Sequence, residues 1–121
     1  MRRRGVKNLS TRIVSHPEVL IQNPKEHIGK WKKAFGNNNP IHLEIGMGKG
    51  DFIIELAKKN PNINYIGLEK FQSVIVVAMD KVVASKLSNV LLVCFDATNL
   101  KEIFEDSEID QIYLNFSDPW P

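Results

Sequence analysis

The sequence predicts an α/β fold built on a parallel sheet. Two observations carry that prediction. From residue 41 onward, four short apolar runs alternate with stretches of helical period. The run at residues 90–95 is apolar throughout, as a strand covered on both faces should be. Strands joined through helices pair in parallel by right-handed crossovers.

Ile41–Ile45 reads as the first strand. Asp51–Lys59 follows as a helix, stopped by Asn60-Pro61. Residues 64–68 form the second strand. Residues 71–86 form a long helix with Val74, Ile75, Ala78, Val82 and Val83 on one apolar face. Residues 90–95 make the third strand, 99–104 a short helix, 105–110 an acidic turn and 111–116 the fourth strand. Residues 1–39 carry a sparse apolar pattern broken by Pro17, Pro24, Gly29, Gly36 and three asparagines. They read as an arm holding a short helix over 27–35, with Gly36 just past its end. Residues 40–121 then form the domain proper. The chain stops after the fourth strand, within a Pro-Trp-Pro loop. That strand would be a hydrophobic edge, so a fragment of a longer protein is expected.

At 43% hydrophobic residues in 121, the chain can build one small core. The net charge of +2 hides an asymmetry. Arg2, Arg3, Arg4, Lys7 and Arg12 occur with no acid among the first twelve residues, and Lys25, Lys30, Lys32 and Lys33 follow. The rest of the chain is acidic on balance, which describes a basic arm on a near-neutral body. A single cysteine, Cys94, excludes an internal disulfide or a cysteine zinc site and fits a reducing cytoplasm. The longest wholly apolar run, at residues 74–79, is too short to span a bilayer. His16, His27 and His42 lack metal-ligand spacing, so no metal is expected.

The first strand runs into Gly46-Met47-Gly48-Lys49-Gly50 and then directly into a helix. Glycines so placed let a ligand lie against bare backbone. Their spacing departs from the dinucleotide fingerprint, because Asp51 stands where its third glycine belongs, and no P-loop pattern is present. Glu44, two residues before Gly46, would repel a pyrophosphate and suits a cationic ligand. S-adenosylmethionine, with its ammonium and sulfonium groups, is such a ligand.

In a parallel sheet, ligands bind beyond the carboxyl ends of the strands. Glu69 ends the second strand about twenty residues after the loop, where an acid accepts ribose hydroxyls. An ion pair with Lys70 is the alternative. Asp96 follows the third strand and reads either as a helix N-cap or as an acceptor for the amino group of adenine. In Asn115-Phe116-Ser117-Asp118-Pro119-Trp120-Pro121, two prolines stiffen a loop that either fixes Asp118 and exposes the Trp120 indole to a flat base or caps the core.

Three segments resemble the bacterial tRNA (guanine-N7-)-methyltransferases: residues 40–50, residues 60–69 and residues 113–121. The last is highly specific, whereas the glycine loop alone would indicate only a methyltransferase. The resemblance implies a Rossmann-like class I methyltransferase core, here cut short after its fourth strand. It implies methyl transfer from S-adenosylmethionine to N7 of guanine at position 46 in the tRNA variable loop. It also implies that Glu44, Gly46, Gly48, Glu69, Asp96 and Asp118 contact the cofactor and that Asp118 is catalytic. The basic run expected after Pro-Trp-Pro in that family is absent from this chain. Arg2, Arg3 and Arg4, with Trp120, would contact tRNA, the alternative for the arm being a solvated disordered tail; phosphate contacts of this kind are salt-sensitive and carry no base sequence information.

Overall fold

A computed structural model describes residues 8–115. It holds a five-stranded parallel sheet of β1 (Leu20–Ile21), β2 (Ile41–Ile45), β3 (Asn64–Glu69), β4 (Val90–Cys94) and β5 (Gln111–Leu114), in the order β1-β4-β3-β2-β5. The four expected strands are present. The fifth, β1, comes from the segment expected as an arm. It spans two residues, Leu20 and Ile21, opposite Leu92 and Val93 of β4. A run that short leaves no periodicity to read.

Four α-helices accompany the sheet: α1 (Leu9–Arg12), α2 (Trp31–Phe35), α3 (Asp51–Lys59) and α4 (Gln72–Ser85). The steps β2→β3→β4 run in one direction across the sheet. Two successive right-handed crossovers in one direction put α3 and α4 on the same face. There Ile53, Ile54 and Ala57 of α3 meet Ile75, Ala78, Met79 and Val82 of α4 over Tyr65, Val90 and Leu92. Of the apolar face expected on α4, Val74 and Val83 are only half-buried, and Val76 and Met79 are buried in addition.

The step from β4 to β5 goes the other way and passes beneath the opposite face. It contains a 3-10 helix (Ala97–Glu102) where an α-helix was expected, with Asn99 out of helical geometry. Ile103 and Phe104 follow and pack with Trp31, Ile41, Leu43, Ile66, Leu68 and Val93. The expected helix over 27–35 is likewise split, into a 3-10 turn (Pro24–His27) and α2. Trp31 is fully buried, and its indole N–H donates to the Ile103 carbonyl at 2.7 Å. The described part of residues 1–39 is therefore built into both layers. Arg12, counted with the basic run, pairs with Asp80 of α4.

Polar side chains lock the amino ends of the strands. The Asn89 amide donates to the carbonyls of Ala57, Asn60 and Ile63 at 2.9–3.2 Å. Glu108 accepts the backbone N–H groups of Gly29, Trp31 and Glu105 at 2.9–3.0 Å. Asp110 accepts that of Ile41 at 2.8 Å. Strand β5 is an edge, with Ile112 and Leu114 exposed.

Candidate functional site

In a parallel sheet every strand points the same way, so Glu44, the glycine loop, Glu69 and Asp96 share one edge. The sheet order reverses direction at β2, whose neighbours are β3 and β5. The crevice beyond β2 and β5 is thus the switch point, where open α/β sheets bind ligands. Glu44 lies there, in register with Gly67 on β3 and Tyr113 on β5.

Glu44 is 2% exposed, and its Oε1 has no hydrogen-bond partner among the described residues. Burial pushes its carboxyl up to about 7, an effect that hydrogen bonding by the Asn115 side chain only partly offsets. A buried acid without a counter-charge costs stability. It becomes favourable once a cation sits beside it.

The loop after Glu44 folds back over β3. The N–H groups of Gly46 and Met47 donate to the Leu68 carbonyl at 2.9 and 3.1 Å. Gly46, Gly48 and Gly50 all have left-handed φ, at 74°, 59° and 88°. Side chains there would be strained whatever the space around them. Among the described residues, a Cβ on Gly46 would meet only the Asn115 carbonyl, at 3.5 Å, an ordinary contact, so its backbone angle and not crowding is what calls for glycine. A Cβ on Gly50 would stand 3.1 Å from Ala78, so this one lets α4 approach.

Glu69 connects the loop to the end of β3. Its Oε1 accepts the Gly48 N–H at 3.1 Å and its Oε2 the Phe71 N–H at 3.2 Å. The alternative of an exposed Glu69–Lys70 pair is not what forms. Glu69 is buried, and the Lys70 ammonium lies 5.2 Å from the Phe71 ring centre. Asp96 caps the following 3-10 helix, with Oδ1 accepting both the N–H and the hydroxyl of Thr98 at 3.0 Å. These bonds hold its carboxyl below the usual range. The cap is therefore present, and among the described residues Oδ2 is left for another donor. Cys94 closes β4; burial, with Glu69 nearby, raises its thiol.

Arg2, Arg3, Arg4, Asp118 and Trp120 lie outside the described residues. Sequence reasoning missed Gly67. A Cβ there would stand 2.3 Å from the Met47 sulfur, so Gly67 lets the loop settle on the sheet. A glycine inside a strand was the available signal. Asn115 was quoted for its motif alone, although its side chain reaches Glu44. No group of three His, Cys, Asp or Glu among the described residues could hold a metal. No described helix is long and apolar enough to cross a membrane.

Residues 38–121 match the family model described as "Putative methyltransferase". The chain belongs to this methyltransferase family. Among curated relatives, it is 51% identical over 121 residues to a tRNA (guanine-N(7)-)-methyltransferase of Geobacillus sp. (strain WCH70), covering 100% of this chain and 55% of that protein. It is 56% identical over 110 residues to one from Listeria innocua, covering 91% of this chain and 51% of that protein. The chain thus spans about half the length of the curated relatives it matches. Among solved structures, an antibiotic-related methyltransferase superposes with a TM-score of 0.62 at 26% identity, over 77% of this chain and 47% of that one. Phosphoethanolamine N-methyltransferase 2 of Haemonchus contortus, solved with S-adenosyl-L-methionine, superposes with a TM-score of 0.54 at 26% identity, over 76% and 20%. Membership of this family accounts for the parallel sheet and for a glycine loop that fits neither the dinucleotide fingerprint nor a P-loop.

Proposed function

We propose that this chain carries the methyl-donor site of a tRNA (guanine-N7-)-methyltransferase, with S-adenosylmethionine as cofactor. The observation that carries the reading is the buried Glu44 carboxylate at the switch point, whose Oε1 has no partner among the described residues, beside a loop of left-handed glycines. The residues present fit the donor. Glu44 offers an anion for its ammonium, the loop from Gly46 to Gly50 offers bare backbone, Glu69 offers ribose acceptors and Asp96 Oδ2 an acceptor for the adenine amino group. The kinship to the tRNA (guanine-N(7)-)-methyltransferases of Geobacillus and Listeria supports the substrate.

When bound, S-adenosylmethionine supplies an electrophilic methyl on a sulfonium. Guanine N7 has an in-plane lone pair and no proton to lose, so the site needs no strong base. Accepting that methyl would leave the purine cationic, so the residues of the site have a positive charge to stabilise and no proton to remove. Holding the nucleophile in line with methyl and sulfur supplies much of the acceleration. A carboxylate near the purine stabilises the charge as it appears, and Asp118 is assigned that role. Arg2, Arg3 and Arg4 hold tRNA phosphates, and Trp120 stacks on the base. Such an enzyme works in the bacterial cytoplasm.

Two measurements test this reading. Calorimetry should show S-adenosylmethionine binding to the chain and no binding of NAD; the reverse would sink the donor assignment. Incubation with labelled S-adenosylmethionine and unmodified tRNA should give 7-methylguanosine in the variable loop. Label at any other base or position would overturn the substrate.

A further inference from the structure

The glycine loop offers one side chain to solvent, and it is a cation. The Met47 carbonyl accepts the Gly50 N–H at 3.1 Å, which closes a turn over Gly48 and Lys49. Met47 turns its own side chain inward, where it is buried and its sulfur fills the place a Cβ on Gly67 would take. Gly46, Gly48 and Gly50 have no side chain to offer. Lys49 is exposed and is therefore the loop's single outward group, on a backbone already fixed by hydrogen bonds.

Glu69 brings a second cation beside it. Its Oε1 accepts the Gly48 N–H at 3.1 Å and its Oε2 the Phe71 N–H at 3.2 Å. One carboxylate thus ties the residue before Lys49 to the residue after Lys70. The Cys94 thiol donates to the Lys70 carbonyl at 3.5 Å, which fixes Lys70 to the end of β4 as well. Lys70 is exposed too.

The acids around these lysines are engaged elsewhere. Asp51 opens α3 and pairs with Lys81 of α4 at 2.9 Å. Glu69 holds two backbone N–H groups, and Asp96 Oδ1 holds Thr98. Neither Lys49 nor Lys70 forms an ion pair among the described residues. Two ammonium groups therefore face solvent at the rim of the carboxyl edge.

We propose that Lys49 and Lys70 form a phosphate clamp at the mouth of the donor site, and that its ligand is the sugar-phosphate backbone of RNA. A guanine reaches a methyl held over this edge only if its own strand lies across the rim. Each nucleotide of that strand brings a phosphate. A lysine on a fixed turn meets that charge without reading the base. The donor's carboxylate is the other anion at hand, and the exposure of both lysines favours the strand outside over the donor within. The clamp rests on the reading above for its substrate. It adds two described residues to an RNA surface assigned so far to Arg2, Arg3, Arg4 and Trp120.

Fluorescence anisotropy of labelled, unmodified tRNA with the full chain tests it. Lys49→Ala combined with Lys70→Ala should weaken binding at least tenfold at about 0.1 M salt, and should lower the slope of log affinity against log salt by about 2. Lys49→Arg combined with Lys70→Arg should keep both near wild type. Lys59 is exposed at the far end of α3, and Lys59→Ala should leave tRNA affinity within about twofold. The thermal midpoint and the S-adenosylhomocysteine affinity of the double alanine variant should match the wild type. An equal loss in Lys59→Ala would reduce the effect to overall charge and overturn the clamp. Weaker S-adenosylhomocysteine binding with tRNA affinity intact would move the lysines to the donor's carboxylate and refute it. Wild-type tRNA affinity in the double alanine variant, or a wild-type chain that binds no tRNA at low salt, would also overturn it. A chain that binds tRNA through these lysines but takes no S-adenosylhomocysteine would remove the donor-site reading and leave the clamp standing.

Discussion

The two ends of this sheet use their polar side chains differently. At the amino ends, Asn89 and Glu108 each serve three backbone partners, and Asp110 serves Ile41. At the carboxyl ends, Glu44 keeps an oxygen that is unpartnered among the described residues, three glycines hold left-handed backbone, and Phe71 occupies an N-cap without capping. Asn64 Oδ1 is a partial exception at the amino end, but it is neutral and its amide nitrogen bonds Asn37 and Asn39. A neutral orphan costs far less than a charged one. Glu69 at the carboxyl end is satisfied too, by the Gly48 and Phe71 N–H groups, so the mark of the site is Glu44 alone, a buried acid with one oxygen unpartnered among the described residues.

The largest effect expected from that contrast is at Glu44. Glu44→Gln removes the charge facing the ligand ammonium and should weaken S-adenosylhomocysteine binding by at least thirtyfold, as read by calorimetry. The same change should stabilise the empty protein, because the folded state raises this carboxyl from 4.5 to about 7. Below about pH 4.5 both folded and unfolded forms hold the proton. As pH rises to about 7, only the folded form holds it, so wild-type stability falls, by on the order of 3 kcal/mol in all. Thermal melts should therefore show Glu44→Gln gaining over wild type at pH 8 and matching it at pH 4. Equal gaps at both pH values would break the contrast.

Gly67→Ala comes next and bridges the two regions. Its Cβ displaces Met47 and with it the glycine loop. A loss of about 2 kcal/mol in denaturant unfolding is expected, together with weaker ligand binding. Asn89→Ala sharpens the scaffold side. It strands one buried and two part-buried carbonyls, for a similar loss of about 2 kcal/mol, yet ligand affinity of the folded protein should stay unchanged. Reduced affinity would show that the amino-end lock also shapes the site. The smallest effect belongs to Leu114→Lys on the exposed edge, which should change stability by less than about 0.5 kcal/mol.

Much of this was legible in the chain. Short apolar runs gave β2 to β5, helical periods gave α3 and α4, and position at the strand ends singled out Glu44, the loop, Glu69 and Asp96 as candidates. Parallel strands then had to bring those residues to one edge. The segment before β2 was not legible, since its core contribution rests on isolated residues. Leu20 gains its strand from β4, and Trp31 its burial from Ile103 and Phe104, both far along the chain. The partner of Glu69 was also hidden, because a backbone N–H leaves no mark in a sequence and Lys70 beside it does. Gly67 could be noticed, but its reason, the Met47 sulfur, required three dimensions.

The central claim is that an ionised Glu44 receives the donor's ammonium, and the pH dependence of binding tests it most directly. Calorimetry of S-adenosylhomocysteine at pH 5.5 and pH 8 should show wild-type affinity rising by at least tenfold with pH, because binding at the lower pH must first expel the proton from Glu44. Glu44→Gln should bind weakly and equally at both. A wild-type affinity flat across that range, or matched by Glu44→Gln, would contradict the account.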